Sequence, residues 1–437
     1  MFFSSRGARC RSEALHWAGA RARQAIGSND IRRRHPLAAA AVVGLWAAVT
    51  PLYPDLARAQ DLPSFDVNAQ SGWRLSTGVS QEWESNVRFV NAAQADATTR
   101  GRVVGARLWR TQRDRIEMAA TGSLVRFQKS SDLNRRTYEA SLQASRMMTR
   151  RLNGSTRLVA ASDFTNRAIT PQGGEGSLLR GLVAARTYAA DGALAYRVTR
   201  QSTTNIGARY QNISFDEPTL ASGWVVATTA QATRLLSAAT TLSLNYEYRR
   251  STAGQRLTGG QRNVNAHELT GGWVHVVNQR VSANLRAGAS AQEAAGAEPA
   301  LIGGAGLHYQ GDHDGFDAQY QRSAGQEFGR ETAREVVTDM LGVQFQRTVS
   351  GRLRFDATAR HSWTDPRRDG APRARGADGS ANLRYELPTG IGVGLGWFVR
   401  RRDDDSNVAV NQGVLLGLAY GWSQVRNMPV PADPNVR

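Results

Sequence analysis

Cysteine is missing from everything after Cys10 in this chain of 437 residues. A mature form that loses its N-terminal leader would therefore have no disulfide, thiolate metal site or cysteine nucleophile. Lysine is almost as scarce, since Lys129 is the one lysine among 55 basic residues. Proline avoids the patterned stretches: the ten prolines after Ala59 fall between or beyond them, as a β-ladder that needs every N–H requires. Outside the leader no apolar run approaches the roughly 20 residues of a membrane helix, and the mean hydropathy is -0.44.

What is present is an alternation of period two. In residues 242–249, Leu242, Leu244, Tyr246 and Tyr248 point one way while Ser243, Asn245, Glu247 and Arg249 point the other, as side chains must on a pleated strand. Residues 281–288, 353–360, 391–399 and 414–423 repeat it, with glycine or small residues opposite the apolar rows of the last two. Over residues 116–127 the alternation slips, which suggests a bulge.

Eighteen such segments fit between Trp73 and Gln424. Short connections fall near residues 113–114, 150–151, 200–201, 237–239, 278–279, 311–314, 350–351 and 388–390, and longer ones alternate with them. The longest, residues 165–184, reads as a surface loop, with inward folding into the barrel as the alternative. The pattern predicts an all-β transmembrane antiparallel up-and-down β-barrel of about 18 strands following a cleaved signal peptide, located in the bacterial outer membrane. Hydropathy misses such barrels because half of each strand is polar. No repeated sequence signature marks the nine hairpins.

The expected organisation has four parts. Residues 1–59 form a signal peptide with a long n-region, in which Arg32, Arg33 and Arg34 precede an apolar stretch and the small-residue site Ala57, Arg58, Ala59 precedes cleavage before Gln60. The Arg triplet runs into His35 and Pro36, where a twin-arginine signal needs an apolar residue, so ordinary Sec export is expected. Residues 60–72 form a periplasmic lead-in, 73–425 the barrel and 426–437 a periplasmic tail. Aromatic residues near strand ends, including Trp73, Trp83, Tyr138, Tyr188, Trp224, Tyr309, Tyr320, Trp363, Tyr385 and Trp422, suit two interfacial girdles. Gly417, Tyr420 and Trp422 have the spacing of a barrel-assembly signal, although Leu415 stands where a polar residue is usual.

The formal charge is +18, and the first 59 residues hold nine Arg and three acids, which leaves 46 basic against 34 acidic residues, or +12. Single arginines spread along strands make no nucleic-acid motif. By parity the inward face should carry Arg157, Arg197, Arg209, Arg249, Arg286, Arg352, Arg354, Arg360, Arg384 and Arg400, with Glu247, Asp317, Asp356 and Glu386 as partial counterweights. A lumen so lined would favour anionic solutes, unless the charges pair across strands and only stiffen the wall.

The segment Gly78, Val79, Ser80, Gln81, Glu82, Trp83, Glu84, Ser85, Asn86, Val87 resembles the opening strand of the beta-barrel porin 2 family of proteobacterial outer-membrane proteins. There an acidic pair and Asn-Val close the first strand; here Glu84 and Ser85 stand where two acids are common. Through length and strand organisation the resemblance extends over about residues 73–422. It implies a porin-like protein, some relatives of which accompany exopolysaccharide export, and it supplies no catalytic residues.

Three functions are thereby in play: a channel for hydrophilic, anionic solutes or an exopolysaccharide export pore; a non-conducting structural or partner-binding platform; and a barrel hydrolase. The last is disfavoured because His267, His275, His308, His313 and His361 are scattered and no nucleophile elbow or metal-ligand spacing exists. No cofactor or metal is expected. Expected partners are outer-membrane lipid and lipopolysaccharide, the barrel-assembly machinery and, for the export reading, polysaccharide export components.

Overall fold

The computed structural model describes residues 69–88, 93–169, 175–254, 261–293, 298–327, 334–366, 373–404 and 407–427. The proposed cleavage site at Ala57 and Ala59 lies outside them, as do residues 428–437 of the expected tail at 426–437, whose first two residues belong to the last strand. The strands, in chain order, are β1 (Ala69–Glu84), β2 (Asp96–Arg110), β3 (Asp114–Phe127), β4 (Arg135–Met147), β5 (Leu152–Ile169), β6 (Glu175–Arg197), β7 (Ser202–Phe215), β8 (Ser222–Leu235) and β9 (Thr240–Gly254), then β10 (Gln261–Val276), β11 (Val281–Gln292), β12 (Ala300–Gln310), β13 (Asp314–Glu327), β14 (Arg334–Thr348), β15 (Leu353–Pro366), β16 (Ala374–Glu386), β17 (Ile391–Asp404) and β18 (Asn407–Asn427). Each pairs antiparallel with its chain neighbours, and β1 pairs with both β2 and β18, so the 18-stranded sheet closes on itself.

Register makes the two faces unambiguous, because directly opposed residues share a face. Trp73, Leu75, Val79 and Trp83 of β1, Leu285 of β11 and Leu395, Trp397, Leu416 and Leu418 of the last two strands are all exposed, and each belongs to the outward row. Pro366 caps the end of β15, where no following ladder is broken.

All eight short connections lie at one end of the cylinder. Six share a device that the sequence reading missed when it saw no repeated signature. Thr111, Thr149, Thr199, Ser237, Asn278 and Ser350 each open a turn, and the side-chain oxygen accepts the backbone N–H two residues on. Such a side chain mimics a turn of backbone and fixes the two-strand register locally. In the last turn Gly390 has φ of 78°, a left-handed conformation that suits glycine.

Three expectations need correction. No bulge interrupts β3, which keeps a continuous register with β2 and β4. The pattern slips there because Val125 and Phe127, on the inner face, pack against Val87 and Leu133 rather than meeting water. The surface-loop reading of residues 165–184 also fails: β5 runs on to Ile169 and β6 starts at Glu175, with register shifts after Thr165 and Arg167. Finally, Arg352 lies in the turn before β15, exposed, and is not part of the strand wall.

The first-strand motif acts at the closure seam. Asn411 Nδ2 donates to Glu84 Oε2 at 2.7 Å, the Asn86 backbone N–H donates to Asn411 Oδ1 at 3.1 Å, and Asn86 Nδ2 donates to the Val410 carbonyl at 3.3 Å. Asn86 and Val87 are buried, so the segment fastens β1 to β18 where the cylinder shuts.

Candidate functional site

The site is the inner wall. On β5, β6 and β7, Arg157, Asp191 and Arg209 stand opposite one another in sequence around the barrel, and Arg209 Nε donates to Asp191 Oδ1 at 3.1 Å. The same order recurs on β15, β16 and β17, where Asp378 lies opposite both Arg360 and Arg400. Neither Asp191 nor Asp378 was among the carboxylates foreseen as inward. Their signal was available in parity, but each sits in a run of alanine and glycine that reads as packing rather than charge.

Arg249 is nearly enclosed. Its Nη1 donates to Glu247 Oε1 at 3.1 Å, and its Nη2 donates to the Ala324 carbonyl of β13 at 3.4 Å. Glu268 stands directly opposite Glu247, a further carboxylate that parity reading overlooked. Arg286 lies between Gly272 and Gly304 on the adjacent strands, so neither directly opposed residue sets a side chain against it. His308 and Asp317 face each other at 3.4 Å. Arg197 ends β6 on the inner row, and its Nη2 donates to the Arg150 carbonyl at 3.3 Å. Asp356 lies opposite Asn382 and Gln346, and Glu386 lies opposite Gly392.

Arg354 and Arg384 differ from these. They are directly opposed on β15 and β16, exposed toward the lumen, and neither has a carboxylate partner among the described residues. Like charges in that relation repel, so the pair requires water around it. Both lie near the short-turn end.

Two hairpins narrow the bore at the long-connection end. The β12–β13 ladder stops at Gly303↔Arg322 although both strands continue. Beyond that point Ala324 and Val337, which by parity belong to the outer face, pack on Ala300 and Ile302 of the inner face of β12. The β13–β14 tip therefore lies inside the cylinder, within reach of Arg249. Likewise the β4–β5 ladder stops at Tyr138↔Ser162, and Cα atoms of β6 come within 8 Å of those of β15 and β16 across the barrel. At Gly288 of β11 an added Cβ would meet the Leu269 carbonyl oxygen of β10, so this position of the wall suits glycine.

The histidines remain apart. His267 and His275 are on the outer row of β10, His361 is on that of β15, His308 is inside and His313 is in a turn. The outer face also holds Arg107, whose guanidinium sits 4.3 Å from the Trp73 ring centroid and 4.2 Å from that of Trp109, an arrangement that keeps a cation among interfacial aromatics. Gly417, Tyr420 and Trp422 lie within β18, paired with Ser80, Thr77 and Leu75 of β1.

An apolar exterior, a charged interior, an even strand number and eight short turns gathered at one end define a transmembrane β-barrel of the outer-membrane type. No protein-family model matches the chain, and no curated protein matches it. Among solved structures it is similar to Acinetobacter baumannii OccAB4, at 9% identity and a TM-score of 0.46 over 82% of this chain and 99% of that one. It is similar also to Pseudomonas aeruginosa OccK3 (OpdO), at 13% identity and 0.44 over 80% and 96%. A third is P. aeruginosa OccK2 (OpdF) in complex with glucuronate, at 13% identity and 0.43 over 81% and 98%. Identities and scores of this size carry neither a family nor a substrate.

Proposed function

We propose that this chain is an outer-membrane channel for small hydrophilic solutes, with a preference for anions. The observation that carries the reading is the opposed pair Arg354 and Arg384 on the inner wall. Two unneutralised guanidinium groups near the short-turn mouth create a positive potential in a water-filled passage, which concentrates anions. Barrels of this strand number leave an aqueous interior. The inward β5–β6 and β13–β14 hairpins favour small solutes over a polymer, and so weigh against the polysaccharide-export use that the first-strand resemblance suggests.

The test is a reversal potential in a planar bilayer under a salt gradient. The purified parent barrel should conduct with anion preference, and the double substitution Arg354→Glu with Arg384→Glu should move that preference toward cations. Raising salt shortens the Debye length below about 10 Å and should weaken the preference. A parent barrel that does not conduct would instead favour the platform reading.

A further inference from the structure

On the outer face, at the long-connection rim, the register assembles a patch that nothing in a channel requires. Trp83 of β1 and Trp397 of β17 both lie directly opposite Val414 of β18, so the two indoles flank that residue. With neighbouring strands roughly 4.8 Å apart, the rings stand roughly 10 Å from one another. They border a cavity of about 590 Å³ whose other walls include Ala97, Gln128, Lys129 and Gln412.

Around the barrel from Trp83, the outward row continues through Gln81 and Thr99 to Arg126, with Thr99 Oγ1 donating to Gln81 Oε1 at 2.6 Å. Arg136 of β4 lies opposite Leu124, one diagonal step from Arg126. Arg126, Lys129 and Arg136 are exposed, and none has a carboxylate partner among the described residues. The nearby acids are engaged or turned away. Two acids border the cavity: Asp96 accepts backbone N–H groups of Ala97, Lys129 and Ser130, and Glu84 accepts from Asn411 Nδ2 on the inner row; Asp132 is held by Arg88, and Glu82 belongs to the inner row.

We infer that this patch binds a phosphorylated glycolipid of the outer leaflet, the lipid anchor of lipopolysaccharide. The inference rests on the reading of the chain as an outer-membrane barrel. Guanidinium forks grip phosphate oxygens in two-point contacts, and adjacent cations that repel one another across a ladder are relieved by an intervening dianion. The indole faces cover the C–H faces of a sugar ring, while Gln128, Gln412 and Thr99 offer hydrogen bonds to its hydroxyls. Below the rim, Leu124, Leu416, Leu395 and Val79 form the exposed apolar surface on which acyl chains would lie.

The experiment is native mass spectrometry of the folded, purified barrel in detergent, with diphosphorylated lipid A, phosphatidylglycerol and inorganic phosphate as separate probes. The parent should retain lipid A at least tenfold more tightly than phosphatidylglycerol and should show no retained phosphate. Arg126→Gln with Arg136→Gln, and separately Trp83→Ala with Trp397→Ala, should each weaken lipid A binding about tenfold. Arg250→Gln, an exposed outward position on β9, should leave it unchanged.

Heat-modifiable mobility checks folding, and Lys129→Gln, in an exposed connection, serves should a double variant not fold. Equal retention of phosphatidylglycerol, retention of free phosphate, or parent-like binding by the patch variants would overturn the inference. Conductance, measured on the same preparations, separates the two readings: a conducting barrel without lipid A binding rejects this patch alone.

Discussion

Two arcs of the inner wall handle arginine in opposite ways. Across β5 to β9 three inward arginines have a carboxylate beside them: Arg157 and Arg209 bracket Asp191, and Arg249 holds Glu247. At the short-turn end of β15 and β16 two arginines face each other with no acid between. The first arrangement cancels its field within a few ångströms and cross-links strands, so it builds wall. The second leaves its field in the lumen. An arginine count therefore says little about selectivity until the carboxylates are placed, and the inner row holds more of them than parity reading supplied.

The largest effect should come from breaking the paired arc where it is most enclosed. The side chains of Arg249 and Glu247 are 5% and 12% exposed, so Arg249→Ala leaves a carboxylate almost without water and removes the hydrogen bond to the Ala324 carbonyl. Removing one partner of a buried pair costs about 3–5 kcal/mol. The expected result is a lower unfolding midpoint in urea together with a higher single-channel conductance, since the β13–β14 tip loses its fastening. A stability loss without a conductance change would mean that the apolar contacts of Ala324 and Val337 hold the tip unaided.

The comparison also depends on the assignment of inside and outside. Leu285→Arg puts a charge on the apolar exterior, at a cost of about 2–4 kcal/mol near the bilayer midplane, whereas Thr358→Arg puts it beside Ser380 on the hydrated interior. Insertion into vesicles of defined lipid, followed by gel mobility with and without heating, should fail or slow for the first and proceed for the second.

That assignment was legible in the sequence because it rests on parity alone. Rows such as Leu242, Leu244 and Tyr246 fix a face wherever a strand stays in the wall, and the eight short turns punctuate the rows. Parity fails where a strand leaves the wall. At Ala324 and Val337 the outer row turns inward and becomes buried, and at Val125 and Phe127 the inner row is apolar because it meets Val87. Both cases depend on what arrives from a distant part of the chain. The hairpin tips were opaque for the same reason: the sequence of β6 carries no mark of the strands β15 and β16 that it approaches. The turn device, by contrast, was local and readable as Thr, Ser or Asn before six of the eight short reversals.

A smaller effect should follow from making the unpaired arc resemble the paired one. Arg384→Asp places a carboxylate opposite Arg354, reproducing the relation of Asp191 to Arg157. A cross-strand pair of opposite charges contributes about 0.2–1 kcal/mol, so the thermal midpoint should rise slightly while anion preference falls toward neutrality. If selectivity persists, the field arises elsewhere on the inner row, with Arg286 the next position to change.

The smallest effect concerns pairing outside the membrane, where water screens what the barrel interior does not. Arg88 Nη2 lies 2.6 Å from Asp132 Oδ2 in the connections above β1 and β3, and the hydrogen bond from Arg88 holds the Asp132 carboxyl below its usual range. Because the folded group is the stronger acid, its contribution is present above the ordinary carboxylate range and is lost as pH falls through the depressed value. Both side chains are substantially exposed, so Asp132→Asn should change global stability little. It should instead remove the acid-dependent step in proteolytic nicking of this connection, which in the parent should quicken only once the pH drops below the ordinary carboxylate range. If the parent and Asp132→Asn are nicked at equal rates across that range, then exposed pairs contribute nothing measurable here, and the contrast between paired and unpaired arginine is confined to the lumen.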